Sequence, residues 1–552
     1  MEKDVRFICA RKGDDIVGMF LNSRGICDRY RMVTNGRYFV DKTALLEEII
    51  PLLGQEQRFV CITRPRRFGK TIMANMIGSF FEKGMDNRKI FDELEISKSD
   101  QYENYIGRYN VIYIDFSETP EDCKEYAFYI KRISEGIKQD LQDIFLEIDF
   151  PQKLSVWDTL SYVFERTGQK FIFVMDEWDA PFNMEFITKK DRKDYLLFLK
   201  LLLKGKSYVE FAYMTGILPI AKYSSGSELN MFLEYDMATK IKYSEYFGFS
   251  DEEVDVLYDR YKKCTRIPRI AREELQEWYD GYYTAARERL YNPRSIVCAL
   301  SDNQLSNYWT SSGPYDEIFY YVKNDIKNIR NDLALMVIGE RINAKIGDFA
   351  AISMELKTKN QIYSAMVIYG LLTYDNGQVF IPNKELMLKY DELLQSEDSL
   401  GYVYRLAQKS EKMLQATLAG DVDTMTKILE YVHDTEVPVL SYNAEVELTA
   451  IVNLVYLSAR DRYRVEREDK AGKGFVDFIF YPVRKDDDGI ILELKVDHSP
   501  EEAISQIKEK KYSLRFQGKL AEKSKYTGRI LAVGIGYDKK TKKHNCKVEV
   551  LK

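Results

Sequence analysis

The sequence predicts an α/β protein with a parallel sheet covered by helices on both faces, a helical middle region and a small C-terminal α/β domain. Short apolar runs alternate with helical patterns in the first part of the chain, which is typical of buried parallel strands. Charged amphipathic segments then dominate, and strand-like runs return near residue 441. Because 552 residues exceed what one core usually organises, we expect domains at 1–244, 245–440 and 441–552.

The elements are predicted from apolar runs, helical periodicity and capping residues. After a lead-in with a helical pattern at 44–53, strands are expected at 58–63, 110–116, 171–175 and 210–215, with a helix at 72–81. The middle region has helical patterns at 251–263 and 272–279 and turn signals at 292–293, 311–314 and 375–377. The last domain has strands at 475–481, 490–495 and 529–535. Ser499, Pro500 and Glu502 form a capping-box pattern that predicts a helix start.

Composition indicates a globular protein of a reducing compartment. The chain is 45% apolar and 30% charged, which excludes a disordered or fibrous class. Its seven cysteines include no CxxC pair, which argues against disulfides and structural zinc. With only three histidines, a hydrolytic metal site must be mostly carboxylate. There is no signal-peptide pattern and no apolar run of ~20 residues, so we expect a cytoplasmic protein without a membrane segment.

A phosphate-binding signal lies between the strand at 58–63 and the helix at 72–81. Gly69, Lys70 and Thr71 stand where backbone N–H groups and a helix N-terminus cradle phosphates, Lys reaches the β- and γ-phosphates and Thr binds magnesium. The pattern lacks its first glycine, because position 64 is arginine. We expect the rest of the loop to contact ATP through Arg66, Arg67 and Phe68.

A second signal follows the apolar strand at 171–175. Asp176 is expected to hold Mg²⁺ through water, and Glu177 to orient or deprotonate the attacking water of an ATPase. Thr215, at the end of another apolar strand, is a candidate polar sensor. The alternative interpretation makes these residues ordinary strand ends and caps.

The C-terminal domain carries a D-x(n)-E-x-K pattern on two neighbouring strands. Asp477 lies on the first strand, and Glu493 and Lys495 share one face of the second because alternate strand residues point the same way. Two carboxylates suit Mg²⁺, with Mn²⁺ as an alternative, and such a metal lowers the pKa of a bound water that attacks a phosphodiester. Glu445, on a predicted helix at 443–458, is a further candidate ligand, and Gln506 and Tyr512 are expected to line the site. Exposed strand charges are the alternative interpretation.

Charge supports a nucleic-acid partner for this domain. Residues 500–552 contain 14 Lys and Arg against 6 Asp and Glu, within a chain of net charge −6. A basic face suits a phosphate backbone, so DNA is the expected partner and RNA is not excluded. A solvated surface is the alternative for any single lysine.

Several segments together resemble the bacterial AAA-ATPase-like family, whose members commonly carry a C-terminal PD-(D/E)XK nuclease-superfamily domain. The N-terminal segments are 38–43 (YFVDKT), 64–71 (RPRRFGKT) and 175–179 (MDEWD); the middle ones are 279–282, 291–293 and 308–309; the last are 472–477 (GKGFVD), 493–495 (ELK) and 506–508. The resemblance implies a P-loop NTPase sheet and a restriction-endonuclease-like C-terminal domain. It makes Arg64 the family's own loop residue, and it places Glu445 at the helical acidic position of the nuclease core.

These observations predict an ATP-binding and ATP-hydrolysing protein that regulates a C-terminal Mg-dependent nuclease acting on DNA. One alternative is a signalling or scaffold ATPase whose nuclease-like domain binds nucleic acid or protein without cleavage. A second is a nucleotide-dependent switch with no nucleic-acid partner. The sequence leaves open a homo-oligomer, the source of an arginine finger and the biological role.

Overall fold

The computed structural model describes residues 18–220, 228–309, 329–337, 341–346, 356, 358–396, 401–436, 445–471, 474–484, 486–514, 516 and 528–551. Its contacts divide the chain into two units, residues 1–313 with 343–386, and residues 314–342 with 387–552. The predicted division at 244 and 440 stays a prediction. Along the described residues, no helix combines the length and the apolar character that a membrane crossing requires.

The first unit contains a parallel sheet in which the strands lie in the order β2 (Asn110–Asp115), β3 (Phe171–Asp176), β4 (Val209–Gly216), β1 (Phe59–Thr63) and β5 (Leu233–Tyr235). The four predicted strands form and are almost wholly buried, as expected for parallel strands covered on both faces. The three-residue edge strand β5 was not predicted. In chain order the elements are α1 Arg24–Thr34, α2 Leu45–Ile49, β1 Phe59–Thr63, α3 Lys70–Phe81, α4 Arg88–Phe91, α5 Tyr102–Tyr105, β2 Asn110–Asp115, α6 Tyr126–Ile144, α7 Val156–Thr167, β3 Phe171–Asp176, α8 Lys189–Leu203, β4 Val209–Gly216 and β5 Leu233–Tyr235.

Two apolar cores lie on opposite faces of this sheet. Alternate residues of a strand point to opposite faces, so Cys61 of β1 belongs to one core and Val60 and Ile62 to the other. Helices α6, α7 and α8 supply the first core, and α1, α2 and α3 supply the second. The prediction of helices on both faces is therefore confirmed.

The rest of the first unit is mainly helical, with short strands that were not predicted. Residues 292–293, predicted as a turn, instead begin a helix: the Asn292 side chain accepts hydrogen bonds from the backbone N–H groups of Arg294 and Ser295. The predicted turn at 375–377 joins two antiparallel strands, and the turn predicted at 311–314 lies outside the described residues. Continuing along the chain, the elements are α9 Asp251–Cys264, α10 Arg272–Tyr279, β6 Tyr282–Tyr283, β7 Arg289–Leu290, α11 Pro293–Asp302, α12 Ile329–Val337, β8 Ile342–Asn343, α13 Lys359–Tyr369, β9 Thr373–Asp375, β10 Gln378–Phe380 and α14 Lys384–Ser396. Of these, α12 belongs to the second unit, and the division between the units falls within β8 and within α14.

The second unit contains a mixed sheet in which the strands lie in the order β11 (Tyr463–Ala471), β12 (Gly474–Pro482), β13 (Gly489–Val496), β14 (Ile530–Asp538) and β15 (Lys543–Val550). Only β13 and β14 run parallel, and the other neighbouring pairs are antiparallel. The remaining elements are α15 Gly401–Ala419, α16 Val422–Glu436, α17 Glu445–Val455, β11 Tyr463–Ala471, β12 Gly474–Pro482, β13 Gly489–Val496, α18 Pro500–Glu509, β14 Ile530–Asp538 and β15 Lys543–Val550. This arrangement confirms a small α/β domain of the restriction-endonuclease-like kind.

Helix α18 begins as predicted and packs closely on β14. The Ser499 hydroxyl accepts from the Glu502 backbone N–H, and the Glu502 carboxylate accepts from the Ser499 N–H, which completes the capping box. A Cβ atom at Gly534 would lie 2.3 Å from the Pro500 carbonyl oxygen and 3.1 Å from the Ala503 side chain. Glycine in this strand thus permits the close approach of helix to sheet.

Candidate nucleotide and metal sites

The phosphate loop joins the carboxyl end of β1 to the N-terminus of α3. Helix α3 begins at Lys70, and Gly69 before it adopts φ 87°, a left-handed conformation that glycine accepts without strain. The Lys70 Nζ atom donates to the Pro65 carbonyl oxygen at 3.1 Å, so the loop folds back around the lysine. Burial lowers the pKa of Lys70, and the nearby acids Glu177, Asp179 and Asp176 oppose that shift. The loop and the helix N-terminus together suit an anion.

Asp176 ends strand β3 and lies beside the first turn of α3. Its carboxyl group is fully buried, and burial raises its pKa to about 7, although a hydrogen bond from the Thr71 side chain works against that shift. The nearby acids Asp115 and Glu177 raise the pKa further. Thr71 and Asp176 are therefore brought together, as the two predicted ligands of a nucleotide-bound metal must be.

Glu177 differs from Asp176 in its position. Its backbone adopts φ 50°, and its N–H donates to the Asp176 carboxylate at 3.0 Å. This turn ends the strand and places Glu177, unlike Asp176, among the residues that line the adjoining cavity. Asp176 is thus buried beside the loop, whereas Glu177 lines the cavity.

A cavity of about 740 Å³ adjoins the phosphate loop. Its basic side includes Arg66, Arg67 and Lys70 of the loop together with Arg294 of α11. Further lining comes from the end of α1, the segment that follows α1, the residues just before α9, and α11. It includes the apolar and aromatic residues Met32, Val33, Tyr38, Phe39, Phe249 and Val297 together with the cations Arg37 and Lys42. The cavity thus offers both cationic and apolar surface. The 38–43 motif, to which sequence reasoning assigned no role, supplies part of this lining.

The side chains of Arg64 and Thr215 both donate hydrogen bonds to backbone carbonyl groups. The side chain of Arg64 points away from the phosphates into the protein, where Nη1 donates to the carbonyl oxygens of Thr63 and Tyr235 at 2.8 and 2.9 Å and Nη2 donates to that of Tyr243 at 3.3 Å. The Thr215 hydroxyl donates to the Ile62 carbonyl oxygen at 2.9 Å, inside the sheet. The sensor role of Thr215 stays a prediction.

Sequence reasoning gave no role to Asp179, the last residue of the 175–179 motif. The carboxylate is buried and accepts from the backbone N–H groups of Ile217 and Leu218, the latter at 2.9 Å. Asp179 thereby fixes the turn that follows β4. The sequence signal that could have indicated a role for Asp179 was its position two residues after Glu177, just beyond a buried strand.

The second site lies on β12 and β13, where Asp477 and Glu493 are neighbours and each carboxylate accepts a hydrogen bond from the backbone of the other strand. The Asp477 carboxylate accepts from the Leu494 backbone N–H at 2.7 Å, and the Glu493 carboxylate accepts from the Asp477 N–H at 3.4 Å. Glu493 is 2% exposed, and burial followed by the charge of Asp477 raises its pKa to about 7. Two facing carboxylates with this mutual repulsion create a place for a cation.

Lys495, Gln506 and Tyr512 surround the Glu493 carboxylate. The Lys495 Nζ atom lies 3.6 Å from Glu493 Oε1, as expected for alternate residues on one strand face. The Gln506 side-chain amide of α18 donates to the same oxygen. Gln506 also hydrogen-bonds Tyr512, whose pKa is raised first by burial and then by the charges of Glu493 and Asp477. The structure therefore gathers the three predicted catalytic residues with both predicted lining residues.

The third predicted ligand of this site, Glu445, is the first residue of α17, and its side chain lies outside the described side chains. Among the described residues no group of three or more His, Cys, Asp and Glu side chains gathers around one point. The described donors are nevertheless hard oxygen atoms, the type that Mg²⁺ prefers. The residues present thus fit a divalent cation held by Asp477 and Glu493.

Two family models match the parts of the chain that carry these sites. Residues 23–225 match the family model for a predicted AAA-ATPase, and residues 445–545 match that of the PD-(D/E)XK nuclease superfamily. No curated protein sequence matches the chain.

Similar solved structures include a Walker-type ATPase of Pyrococcus abyssi, at 12% identity and a TM-score of 0.33, covering 63% of this chain and 94% of that one. They also include the ORC2 protein of Aeropyrum pernix in ADPNP and ADP complexes, at 11% identity and a TM-score of 0.31, covering 69% and 96%. Similarity at this level carries no functional conclusion.

Proposed function

We infer the function from the two family models that this chain matches, that of a predicted AAA-ATPase over residues 23–225 and that of the PD-(D/E)XK nuclease superfamily over residues 445–545. We propose that the N-terminal site binds and hydrolyses ATP, and that the C-terminal site is a Mg-dependent nuclease acting on DNA. We further propose that ATP regulates the nuclease and that the protein works in the cytoplasm.

ATP binding is supported by the cavity at the phosphate loop. Three cations, Arg66, Arg67 and Lys70, line the cavity where they would neutralise a polyphosphate, and Gly69 lets α3 begin there. The apolar walls around Tyr38 and Phe39 offer a surface for the base. Arg67 and Phe68, predicted as ATP contacts, both line this space.

Hydrolysis is supported by the different positions of two acids, Asp176 beside Thr71 and Glu177 at the cavity. Thr71 and Asp176 are hydrogen-bonded beneath the loop, where they would hold Mg²⁺, which supplies charge neutralisation of the phosphates when bound. Glu177 faces the cavity, where it would orient a water molecule towards the terminal phosphate.

The nuclease proposal depends chiefly on one observation. Asp477 and Glu493 lie beside each other on β12 and β13, and each carboxylate accepts a hydrogen bond from the backbone of the other strand. Their carboxylates would hold a divalent metal, which lowers the pKa of bound water when present. Lys495, beside Glu493, would stabilise negative charge on the phosphate, and Gln506 would fix the Glu493 carboxylate. DNA as substrate is supported by the excess of Lys and Arg over residues 500–552.

A cleavage assay tests this function. Linear and supercoiled DNA would be incubated with the full-length protein in Mg²⁺ or Mn²⁺, beside Asp477→Ala and the control Asp486→Ala, an exposed carboxylate in the loop between β12 and β13. We expect Asp477→Ala to abolish cleavage and the control to cleave like the wild type. EDTA should stop the reaction. DNA binding without cleavage in any metal would reject the nuclease and favour the scaffold or signalling ATPase.

A further inference from the structure

The phosphate loop is supported from behind by a tryptophan distant in sequence. The Trp309 indole N–H donates to the Arg66 carbonyl oxygen at 3.1 Å, and the ring is fully buried. Trp309 itself does not line the cavity, whereas Arg66 and Arg67 do. The indole therefore contacts the loop without lining the cavity.

This hydrogen bond determines the direction of the next N–H group. The peptide between Arg66 and Arg67 is trans, and in a planar trans peptide the C=O and N–H bonds point in opposite directions. Because Trp309 holds the Arg66 carbonyl, the Arg67 N–H is directed away from the indole, and Arg67 is one of the residues that line the cavity. Inward-pointing backbone N–H groups are what a phosphate loop offers to its ligand.

The loop needs this support because its conformation is unfavourable on its own. Arg67 adopts φ 69°, which is uncommon for a residue other than glycine and persists only where surrounding contacts enforce it. A Cβ atom at Gly370 would lie 2.7 Å from the Pro65 ring and 3.4 Å from Trp309, so the backbone at Gly370 packs closely against both the loop and the indole. Phe68 packs edge-to-face on Tyr282, with 5.0 Å between ring centroids.

Trp309 is in turn held by a buried carboxylate. Glu385 Oε1 accepts from the backbone N–H groups of Tyr308 and Trp309 at 2.7 and 2.8 Å, and Glu385 Oε2 accepts from the Ser295 hydroxyl at 2.9 Å. The Glu385 side chain is fully buried. These hydrogen bonds fix the backbone from which the indole projects, so the ring can aim its single donor at one carbonyl group.

We propose that Trp309 is a positioning residue for nucleotide binding: its indole N–H, held in place by Glu385, presets the Arg67 N–H for the phosphates of Mg-ATP. This inference rests on the proposed ATP site. It adds a contact from outside the P-loop and the strand after it.

The test compares Mg-ATP affinities of full-length variants by isothermal titration calorimetry. Trp309→Phe keeps an aromatic ring and removes the N–H, and we expect about tenfold weaker binding, the usual effect of one hydrogen bond. The control Trp157→Phe, in α7 and outside the site, should bind like the wild type. Replacing Trp309 with β-(3-benzothienyl)alanine keeps the two-ring shape and removes only the N–H, so it should give the same loss of Mg-ATP affinity in a protein that still folds.

The outcomes separate this inference from the proposed function. Lys70→Ala should abolish binding, which establishes the site. If the wild type binds Mg-ATP and the benzothienyl variant binds equally well, the positioning role is wrong while ATP binding stands. If the wild type binds no nucleotide, the proposed function fails and the positioning role fails with it. If Trp309→Phe does not fold, the benzothienyl variant alone decides.

Discussion

At the residue scale, Arg64 shows how a loop can depart from its usual pattern without losing its shape. The position ordinarily belongs to glycine in a P-loop. Here the guanidinium is buried, donates to three backbone carbonyl groups and stacks over Phe247 at 4.9 Å. Burial lowers its pKa to about 10, which leaves it charged at neutral pH. Arg64 therefore ties the phosphate loop to the edge strand β5 and to the segment near Tyr243.

Restoring glycine at this position should consequently harm the protein. We expect Arg64→Gly to lower the free energy of unfolding by about 2–5 kcal/mol, because carbonyl groups of Tyr235 and Tyr243 lose their donor and a cavity replaces the side chain. Chemical denaturation followed by circular dichroism measures this change. Lys70→Ala, which should lose ATP binding, serves as a comparison for stability. A more stable Arg64→Gly protein would show that the guanidinium is not the loop's anchor.

Glu82 predicts a pH dependence of stability. This carboxyl group follows α3, is fully buried and accepts from the Cys27 thiol, and burial raises its pKa from 4.5 to about 8. Between these values the folded protein keeps a proton that the unfolded chain releases. Stability from this group is thus complete below 4.5 and is lost as pH rises through 8, by about 1.4 kcal/mol for each pH unit.

The Glu82→Gln variant stays neutral and should not lose this contribution. Its melting temperature relative to the wild type should therefore rise steadily from pH 5 to pH 8.5, as measured by scanning calorimetry. The exposed residue Glu93 provides the control Glu93→Gln, which should show no such trend. Parallel melting curves for Glu82→Gln and the wild type across this range would contradict the prediction.

Single residues were predictable where local pattern determines them. Lys70, Thr71 and Asp176 meet because a loop after one strand and the end of another share an edge of the sheet. The contact of Trp309 with Arg66 spans 243 positions and has no periodic signature, so the sequence alone could not reveal it. The inward direction of Arg64 was equally hidden, because charged residues are usually exposed.

At the element scale, the buried strands were predicted well and the polar ones were missed. Strands β1 to β4 are continuous apolar runs, and a run of this length between helical patterns has few other interpretations. Strand β5 has only three residues, and β11 and β15 carry many charged side chains. Because the intrinsic preference of such segments for β-structure is weak, they form strands through pairing with neighbouring strands. The sheet partners of such segments lie elsewhere in the chain.

The contact of α18 with β14 gives a prediction at this scale. Gly534→Ala adds a methyl group 2.3 Å from the Pro500 carbonyl oxygen, so the helix must move outwards, at a cost of about 1–3 kcal/mol in unfolding free energy. The same movement draws Gln506 away from Glu493, and cleavage should weaken as well. Denaturant unfolding and the cleavage assay measure the two effects.

A matched exchange in another helix controls for the added methyl group. At Gly25 of α1 the nearest atom to a new Cβ belongs to an Arg29 side chain at 3.6 Å, so Gly25→Ala should be tolerated. Equal stability of Gly534→Ala and the wild type would mean that the helix adapts without strain.

At the scale of the whole molecule, two sites with different chemistry share one chain. The proposed regulation requires Mg-ATP to change the nuclease rate, and ordinary coupling between sites amounts to about fivefold or more. We expect Mg-ATP to change the DNA cleavage rate of the wild type by at least this factor. The Lys70→Ala protein should cleave at one rate with and without ATP.

Time courses of supercoiled DNA cleavage measure this response, with ADP as a second nucleotide. The variant matters because ATP also binds free Mg²⁺ and could alter cleavage without touching the protein. A nuclease rate that is independent of ATP in the wild type would reject regulation and leave two independent activities.

The hairpin that carries Asp477 and Glu493 has a consequence for how the chain folds. These carboxylates are joined by one short connection between adjacent antiparallel strands, so little chain entropy is lost in bringing them together. The nucleotide site instead gathers the ends of β1 and β3, which are roughly 100 residues apart in the chain and both pair in parallel with β4, and such long-range parallel pairing is slow. We therefore expect a refolding chain to form its carboxylate pair early and its nucleotide site late, whichever site acts first in the finished protein.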